Sequence, residues 1–414
     1  MSDAREVVVI GAGAAGLMAS IWAARHGARV TLLEGGRKVG TKILASGGTR
    51  CNLTHDEVFP ENYNGGSRRV VARLLREFDA RAARTFFEDL GVPTKLESTG
   101  KVFPVSDSAV TVRDALVRAL HGAGARLREG ARVLALERGG TAFEIRLEGG
   151  QRLQAPRVVL ATGGLSYPST GSRGDGLLWA RALGHTIVEP VPALAPLVSE
   201  DRDARSLSGL TLEARLTLRR GEGGREIHRT AGSFVFTHFG YSGPAALDLS
   251  RHYLRARAEG PAWVEASWLP DRSFEQLERE LRDLREKEPR KTLGTALETL
   301  LPRRLAALVR ERACVAAGTP LSELPREARG ALARGITRWP LSITGTQGFE
   351  KAEVTAGGVD LSEVEPSSME SRAVPGLFLC GEILDVDGML GGYNFQWAWS
   401  SGFVAGRGAA RAAG

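Results

Sequence analysis

Three glycines, in Gly11-Ala12-Gly13-Ala14-Ala15-Gly16, stand directly after an apolar, β-branched run, Glu6 to Ile10, and before a run of good helix formers, Leu17 to His26. Strand, glycine turn and helix in this order are what a pyrophosphate needs. Gly11 permits the tight turn, Gly13 lets the backbone approach the phosphates, and Gly16 lets the helix pack close to the strand. Amides at the helix start, in the Ala14-Ala15 turn, supply donors, and the helix dipole adds a positive field. A second strand-like run, Arg29 to Leu33, ends on Glu34-Gly35, about twenty residues beyond the glycines, where a carboxylate accepts hydrogen bonds from adenosine ribose hydroxyls and repels a 2′-phosphate. A glycine turn that only links a strand to a helix would not need all of these together.

This fingerprint alone does not separate NAD from FAD, but two further segments favour FAD. Val158 to Ala161 is an apolar strand running into Thr162-Gly163-Gly164, as where a second strand is brought beside the adenine. Phe378 to Cys380 is another, ending in Gly381-Glu382, which suits the ribityl and pyrophosphate region. No second G-x-G-x-x-G follows a strand, so NAD(P)H is expected only as a transient reductant at the flavin face.

Glu6 to Leu33 reads as one βαβ unit with parallel strands, which positions these residues. The segment Gly35 to Thr54 reads as a polar, glycine-rich loop, of which Ser46 to Asn52 is expected to lie along the flavin; Lys42, Ser46, Gly47 and Asn52 are expected cofactor contacts. Helical periodicity covers Arg68 to Leu90 and Val110 to His121, and strand-like runs cover Arg126 to Leu136 and Phe143 to Leu147. The proline-rich stretch Pro190 to Pro196 reads as a crossover out of the first domain. The fold class is therefore α/β: a Rossmann-like FAD domain built from both chain ends (1–190 and 341–414) around an inserted module, 191–340. Within the insert, 191–270 and about 335–340 read as β, and 273–334 as helical.

With 414 residues, more than one core is expected. No stretch approaches the roughly 20 apolar residues of a membrane span, and no export signal opens the chain, so a cytoplasmic protein with no membrane partner is expected. Cys51, Cys314 and Cys380 form no C-x-x-C pair, which fits a reducing compartment. Seven scattered histidines and no ligand-spaced cluster give no metal site. No G-x-S-x-G elbow supports a hydrolase. The net charge of +7 permits an RNA partner, and equally fits arginines on solvated faces.

Several segments together, spread in order over nearly the whole chain, resemble the BaiN/RdsA-like family of NAD(P)/FAD-dependent oxidoreductases, which includes aminoacetone-oxidase-like proteins. They are Ile10 to Gly16, Lys42 to Asn52, Ala161 to Ser166, Phe236 to Pro244, Ala352 to Val359 and Gly391 to Ala398. Thr41 and Thr49 depart from the family's usual arginine and glycine. The resemblance implies FAD and a split FAD domain interrupted by a β-barrel-like module with a small helical part. It also implies substrates as different as small amines, steroid-like bile acids and a uridine in large-subunit ribosomal RNA.

Four residues are candidates for chemistry. Arg50, or the amides after Gly391-Gly392, would steady the negative charge of reduced flavin; the alternative for Arg50 is a structural salt bridge. Were the substrate a uracil ring, Cys51 could protonate C5 after hydride reaches C6; the alternative is a small buried side chain. His238 and Tyr241, in a glycine-flanked loop of the inserted module, would act as proton donors or a stacking platform. Asn394, Gln396, Trp397 and Trp399 would line the flavin or pack the last helix, a core role being favoured for the tryptophans. The leading expectation is an NAD(P)H-reduced flavoenzyme acting on a uracil of 23S ribosomal RNA. Beside it stand a small-molecule flavin oxidoreductase and an FAD-containing RNA-binding protein without turnover.

Overall fold

The apolar run at the start of the chain becomes β1 (Glu6–Ile10), and the segment after the glycines becomes α1 (Ala14–Arg25) leading to β2 (Arg29–Leu33). The computed structural model describes residues 5–411. β1 pairs in parallel with β2, from Glu6↔Arg29 to Ile10↔Leu33. β3 (Arg126–Arg128) extends the sheet beyond β2. On its other side β1 meets β4 (Arg157–Leu160), and β4 meets β5 (Leu377–Leu379), both in parallel. A strand from late in the chain thus joins the sheet begun at residue 6, and two short antiparallel strands, Glu370–Ser371 and Val364–Glu365, extend it. Its central strands are buried on both faces, which is why they read as continuous apolar runs without alternation.

The contacts divide the chain into two units, one of residues up to Ala193 together with those from Phe349 onward, the other Leu194–Gly348. Each has its own hydrophobic core. The second boundary falls later than residue 340 because Trp339–Leu341 pairs with Ala262–Ser267, and Gly345–Thr346 pairs with Leu197–Val198. The expected proline-rich crossover is mostly a strand, Ile187–Ala193, antiparallel to Val354–Val359, with an irregularity between Val188 and Val191 where Pro190 has no amide to donate.

Local punctuation accounts for the other differences. The segment Gly35 to Thr54 is not an open loop: it contains the helical turn α2 (Thr41–Ala45) and a tight turn over Ser46–Thr49. The helical stretch Arg68 to Leu90 is two helices, α3 (Arg68–Glu77) and α4 (Ala80–Asp89), because Asp79 caps the second by accepting from the Ala82 amide at 2.7 Å. After α5 (Ala109–Gly122), the run Arg126 to Leu136 breaks at Gly130. Its second half, Val133–Gly139, joins a separate antiparallel sheet with Ala142–Leu147 and Arg152–Ala155.

The last helix, α6 (Tyr393–Arg411), packs along α1 at close range. A Cβ on Gly402 would lie 2.6 Å from the Ala15 carbonyl oxygen, and one on Gly406 would lie 2.2 Å from that of Ala19. Glycines four apart on α6 face alanines four apart on α1, so the two helix backbones come nearly into contact.

The second unit is an antiparallel sheet in the order Trp339–Leu341, Ala262–Ser267, Thr211–Arg220, Arg225–Thr237, Gly240–Ser242, Leu197–Val198, Gly345–Thr346. Its two edge strands are separated in the chain by only three residues, which obliges the sheet to curl. Helix Pro244–Glu259 and the four helices between Phe274 and Thr337 complete this unit. Among the described residues no helix is long and apolar enough to cross a membrane.

Candidate active site

The turn between β1 and α1 is tight because it cannot be otherwise. Gly11 has φ +102°, and a Cβ there would be 2.5 Å from the Ala161 carbonyl oxygen; on Gly16 it would be 1.8 Å from that of Gly11. Gly13, the residue that opens α1, is different: a Cβ on it would meet nothing within 4 Å, because that side faces a cavity. The first turn of α1 carries no acidic residue, so its amides and dipole reach the cavity uncompensated. Glu34 is fixed at the end of β2 by accepting from the amides of Ala12 (3.1 Å) and Gly36 (2.7 Å), and it lines the same cavity.

That cavity measures about 570 Å³ and is lined only by residues of the first unit. It holds most of the expected cofactor residues: Gly11, Gly13, Ala14, Ala15, Glu34, Gly35, Lys42, Ser46, Thr162, Gly163, Gly381, Glu382 and Asn394. The remainder stand behind its wall. Gly16 packs on Gly11 and Gly164 on Thr355, while Gly47, Asn52 and Gly392 cluster together and Gly391 lies against Tyr393. Arg37, Lys38 and Arg173, which sequence reasoning did not single out, also line the cavity. For Arg37-Lys38 the available signal was a basic pair three residues past Glu34.

One wall is a polar network. Lys42 Nζ donates to Ser166 Oγ (2.6 Å) and to Glu382 Oε2 (2.5 Å). Glu382 Oε1 accepts from Ser166 Oγ (2.5 Å), the Thr355 amide (3.1 Å) and Thr355 Oγ1 (2.9 Å). Glu353, beside Thr355 in sequence, was also missed, although its segment had carried the family resemblance. Solvent reaches its side chain, yet the surrounding protein raises the carboxyl above its ordinary range against the opposing pull of Lys42 and Lys101.

The four candidates for chemistry are placed as follows. Arg50 takes the structural alternative: its guanidinium is bonded by Glu97 and by Asp107 (2.9 Å) and lies over the Phe103 ring at 3.9 Å, and it is not part of the cavity lining. Those two carboxylates raise its pKa further. Cys51 is a core side chain with no exposed surface; burial pushes its thiol up to about 12, and it too is absent from the cavity wall. Tyr241 is buried in the second unit against Phe234 and Phe236, its hydroxyl 3.4 Å from Ser199 Oγ and pushed up to about 12 by burial, which removes it as a stacking platform. His238 is exposed in the turn between two strands of the second unit.

Gln396 is not at the cavity either. It bonds Thr54 Oγ1 (2.6 Å) and the Phe78 carbonyl (2.8 Å), while the buried Trp397 and Trp399 donate to the carbonyls of Gly381 (3.1 Å) and Leu53 (2.8 Å). These bonds anchor the start of α6, so that Asn394, Phe395 and Ala398, with one face of Trp397, wall the cavity.

The residues fit FAD. Open space lies above Gly13, where a pyrophosphate runs, and a ribose-competent carboxylate stands at the end of β2. The side chain of Thr162 lies on the cavity wall, with its hydroxyl turned toward Gly176 and enclosed by protein. Gly13 to Ala15 and Glu34 would hold the ADP half, Thr162 and the Lys42–Glu382 wall the ribityl region, and the start of α6, with no acidic residue in its first turn, would face negative charge on the reduced ring. Among the described residues no three His, Cys, Asp or Glu side chains are grouped to hold a metal.

Fold and site together define an FAD-dependent oxidoreductase of the Rossmann type. The chain belongs to the HI0933-like family: the model described as the HI0933-like protein Rossmann domain matches residues 5–408. It is 36% identical over 405 residues to the 3-dehydro-bile acid delta(4,6)-reductase of Clostridium scindens, covering 97% of this chain and 98% of that protein. It is 33% identical over 402 residues to the ribosomal RNA dihydrouridine synthase of Escherichia coli, covering 96% of each. These relatives bear out the BaiN/RdsA-like resemblance. Among solved structures, the fold is similar to 3-ketosteroid-delta4-(5alpha)-dehydrogenase from Rhodococcus jostii RHA1 in complex with 4-androstene-3,17-dione. The TM-score is 0.51 at 18% identity, over 98% of this chain and 97% of that one.

Proposed function

We propose that this protein takes hydride from NAD(P)H and gives it to a ring carbon–carbon double bond conjugated to a carbonyl, with a uracil of large-subunit ribosomal RNA as the substrate. The observation that carries this reading is a cavity behind the glycine turn that fits FAD, in a chain whose relatives are named for saturating such bonds. The uracil C5=C6 bond and a 3-keto-Δ4,6 steroid share one electronic pattern: hydride enters at the carbon remote from the carbonyl, and a proton must reach the neighbouring carbon. Bound FAD supplies the hydride. The chain supplies the rest: amides and Glu34 grip the cofactor, and the Lys42–Glu382 wall fixes its position. With Cys51 buried, the group that would hold a proton is Glu353, whose carboxyl lies within the field of the cavity-lining Lys42.

Mass spectrometry of dihydrouridine in 23S ribosomal RNA, from a strain lacking the protein and from its parent, tests the substrate. Loss of one dihydrouridine, restored by the wild-type gene, is the expected result. An unchanged content would sink the RNA substrate and leave the second reading, a reductase of a small ring ketone. That reading is favoured by the 36% identity to the bile acid enzyme, and its test is oxidation of NAD(P)H by the yellow protein in the presence of a steroid dienone.

A further inference from the structure

Helix α3 has two opposed faces. At 100° per residue, Val71, Leu74 and Leu75 occupy one arc and are buried, while Arg69, Arg73 and Arg76 fall within a narrow stripe on the opposite side and are exposed. The one acidic residue of the helix, Glu77, lies beside this stripe and is bonded by Arg407 of α6 (2.5 Å), so the stripe itself carries only basic side chains. A 1.5 Å rise per residue spaces the three guanidinium stems by roughly 6 and 5 Å along the axis.

The stripe is tied to the cavity through its own unit. Strand Tyr63–Gly65, just before α3, pairs with Val386–Gly388, and the Tyr63 hydroxyl donates to the Tyr393 carbonyl (2.9 Å) in the first turn of α6. Two apolar side chains of neighbouring segments stand in solvent: Phe59, 54% exposed and flanked in the chain by the exposed Glu57 and Glu61, and Met389, 38% exposed, whose amide donates to the Asn62 carbonyl (2.9 Å). Phe59 adjoins the Pro60–Asn62 turn that packs on α3; an exposed aromatic near a run of arginines serves single-stranded nucleic acid, the ring stacking a base and the guanidinium groups taking successive phosphates.

We infer that Arg69, Arg73 and Arg76 of α3, with Phe59, form the surface on which a single-stranded RNA segment lies while one of its bases is presented to the flavin cavity. This rests on the RNA reading above. The test uses the full-length, FAD-loaded protein and a fluorescently labelled, uridine-rich single-stranded RNA oligonucleotide, with anisotropy measured over a range of salt. Each phosphate contact adds about 0.7 to the log–log salt slope. R69E/R73E/R76E should therefore flatten the slope by about 2, and R69K/R73K/R76K should keep it. Phe59→Ala should weaken binding roughly tenfold with the slope unchanged. All variants should retain the flavin absorbance of the wild type, which shows that the fold and the cofactor site are intact. If wild type binds and R69E/R73E/R76E binds with the same slope, this surface is wrong while the RNA reading stands. If wild type binds no RNA and 23S dihydrouridine is also unchanged in the deletion strain, the RNA reading falls and takes the surface with it. Binding of the arginines to anionic lipid vesicles, with no binding of RNA, would likewise overturn the assignment.

Discussion

Lys42 and Glu382 are 340 residues apart in the chain and share a bond of 2.5 Å, with side chains 28% and 17% exposed. Partly buried pairs of this kind cost most when one partner is removed, because the other charge is left without a counter-charge. Lys42→Met or Glu382→Gln alone should each destabilise the FAD-free protein by about 2 kcal/mol. The double variant should lose clearly less than the sum, as read from urea unfolding in a double-mutant cycle; strict additivity would mean the pair does not act as a unit. Glu353 offers a second test at this scale. The protein around its carboxyl raises it, so the protonated form persists above the ordinary carboxylate range and is lost as pH rises through the shifted value. A wild-type profile of kcat should fall on that alkaline side, and Glu353→Gln should be lower throughout and lack this limb. A variant with the parent's profile would remove Glu353 from the reaction. Much of this was not legible in the sequence. Arg50 and Cys51 sit in a motif typical of a flavin loop, but only the folded chain brings Glu97 and Asp107 to Arg50 and closes the core over Cys51.

Elements carry the next level of control. β1, α1 and β2 were readable because glycine spacing, strand runs and the final carboxylate are all local features. The α1–α6 contact was not: nothing in Gly402 to Gly406 alone says which helix it will touch. With the Ala19 carbonyl 2.2 Å from a Cβ at Gly406, Gly406→Leu must push α6 away from α1. Overpacking of this kind costs about 3 kcal/mol. Because the first turn of α6 walls the cavity, the same substitution should also lower the flavin-to-protein absorbance ratio of the purified protein. A variant that unfolds at the parent's temperature with full flavin content would show that the helices can separate freely.

On the scale of the whole molecule, two units with separate cores share one chain, and the cavity is lined by one of them alone. A ligand that binds only the native state stabilises it by about 4 kcal/mol when present at a thousand times its dissociation constant. In scanning calorimetry, FAD should therefore raise the transition of the first unit by roughly 10 °C and leave that of the second near its FAD-free position. A single transition that moves as one would show that the units unfold together. The helical part of the second unit was recognisable from its periodicity. Its upper boundary was not, because Gly345–Thr346 is too short to read as a strand and is defined only by pairing with Leu197–Val198.

By itself the sequence determined that this is an FAD-binding oxidoreductase with a split Rossmann domain. The phosphate-binding turn is built from neighbours in the chain, and the late strand that joins the sheet announces itself by an apolar run ending in Gly381-Glu382. Only the tertiary structure decided which charged groups face the cofactor cavity. Lys42 turns inward because Glu382 and Ser166 arrive from distant segments to receive it, and Arg50 turns outward because two carboxylates wait for it there. The direction a long side chain takes is set by its partners, and partners separated by tens to hundreds of residues leave no local signal.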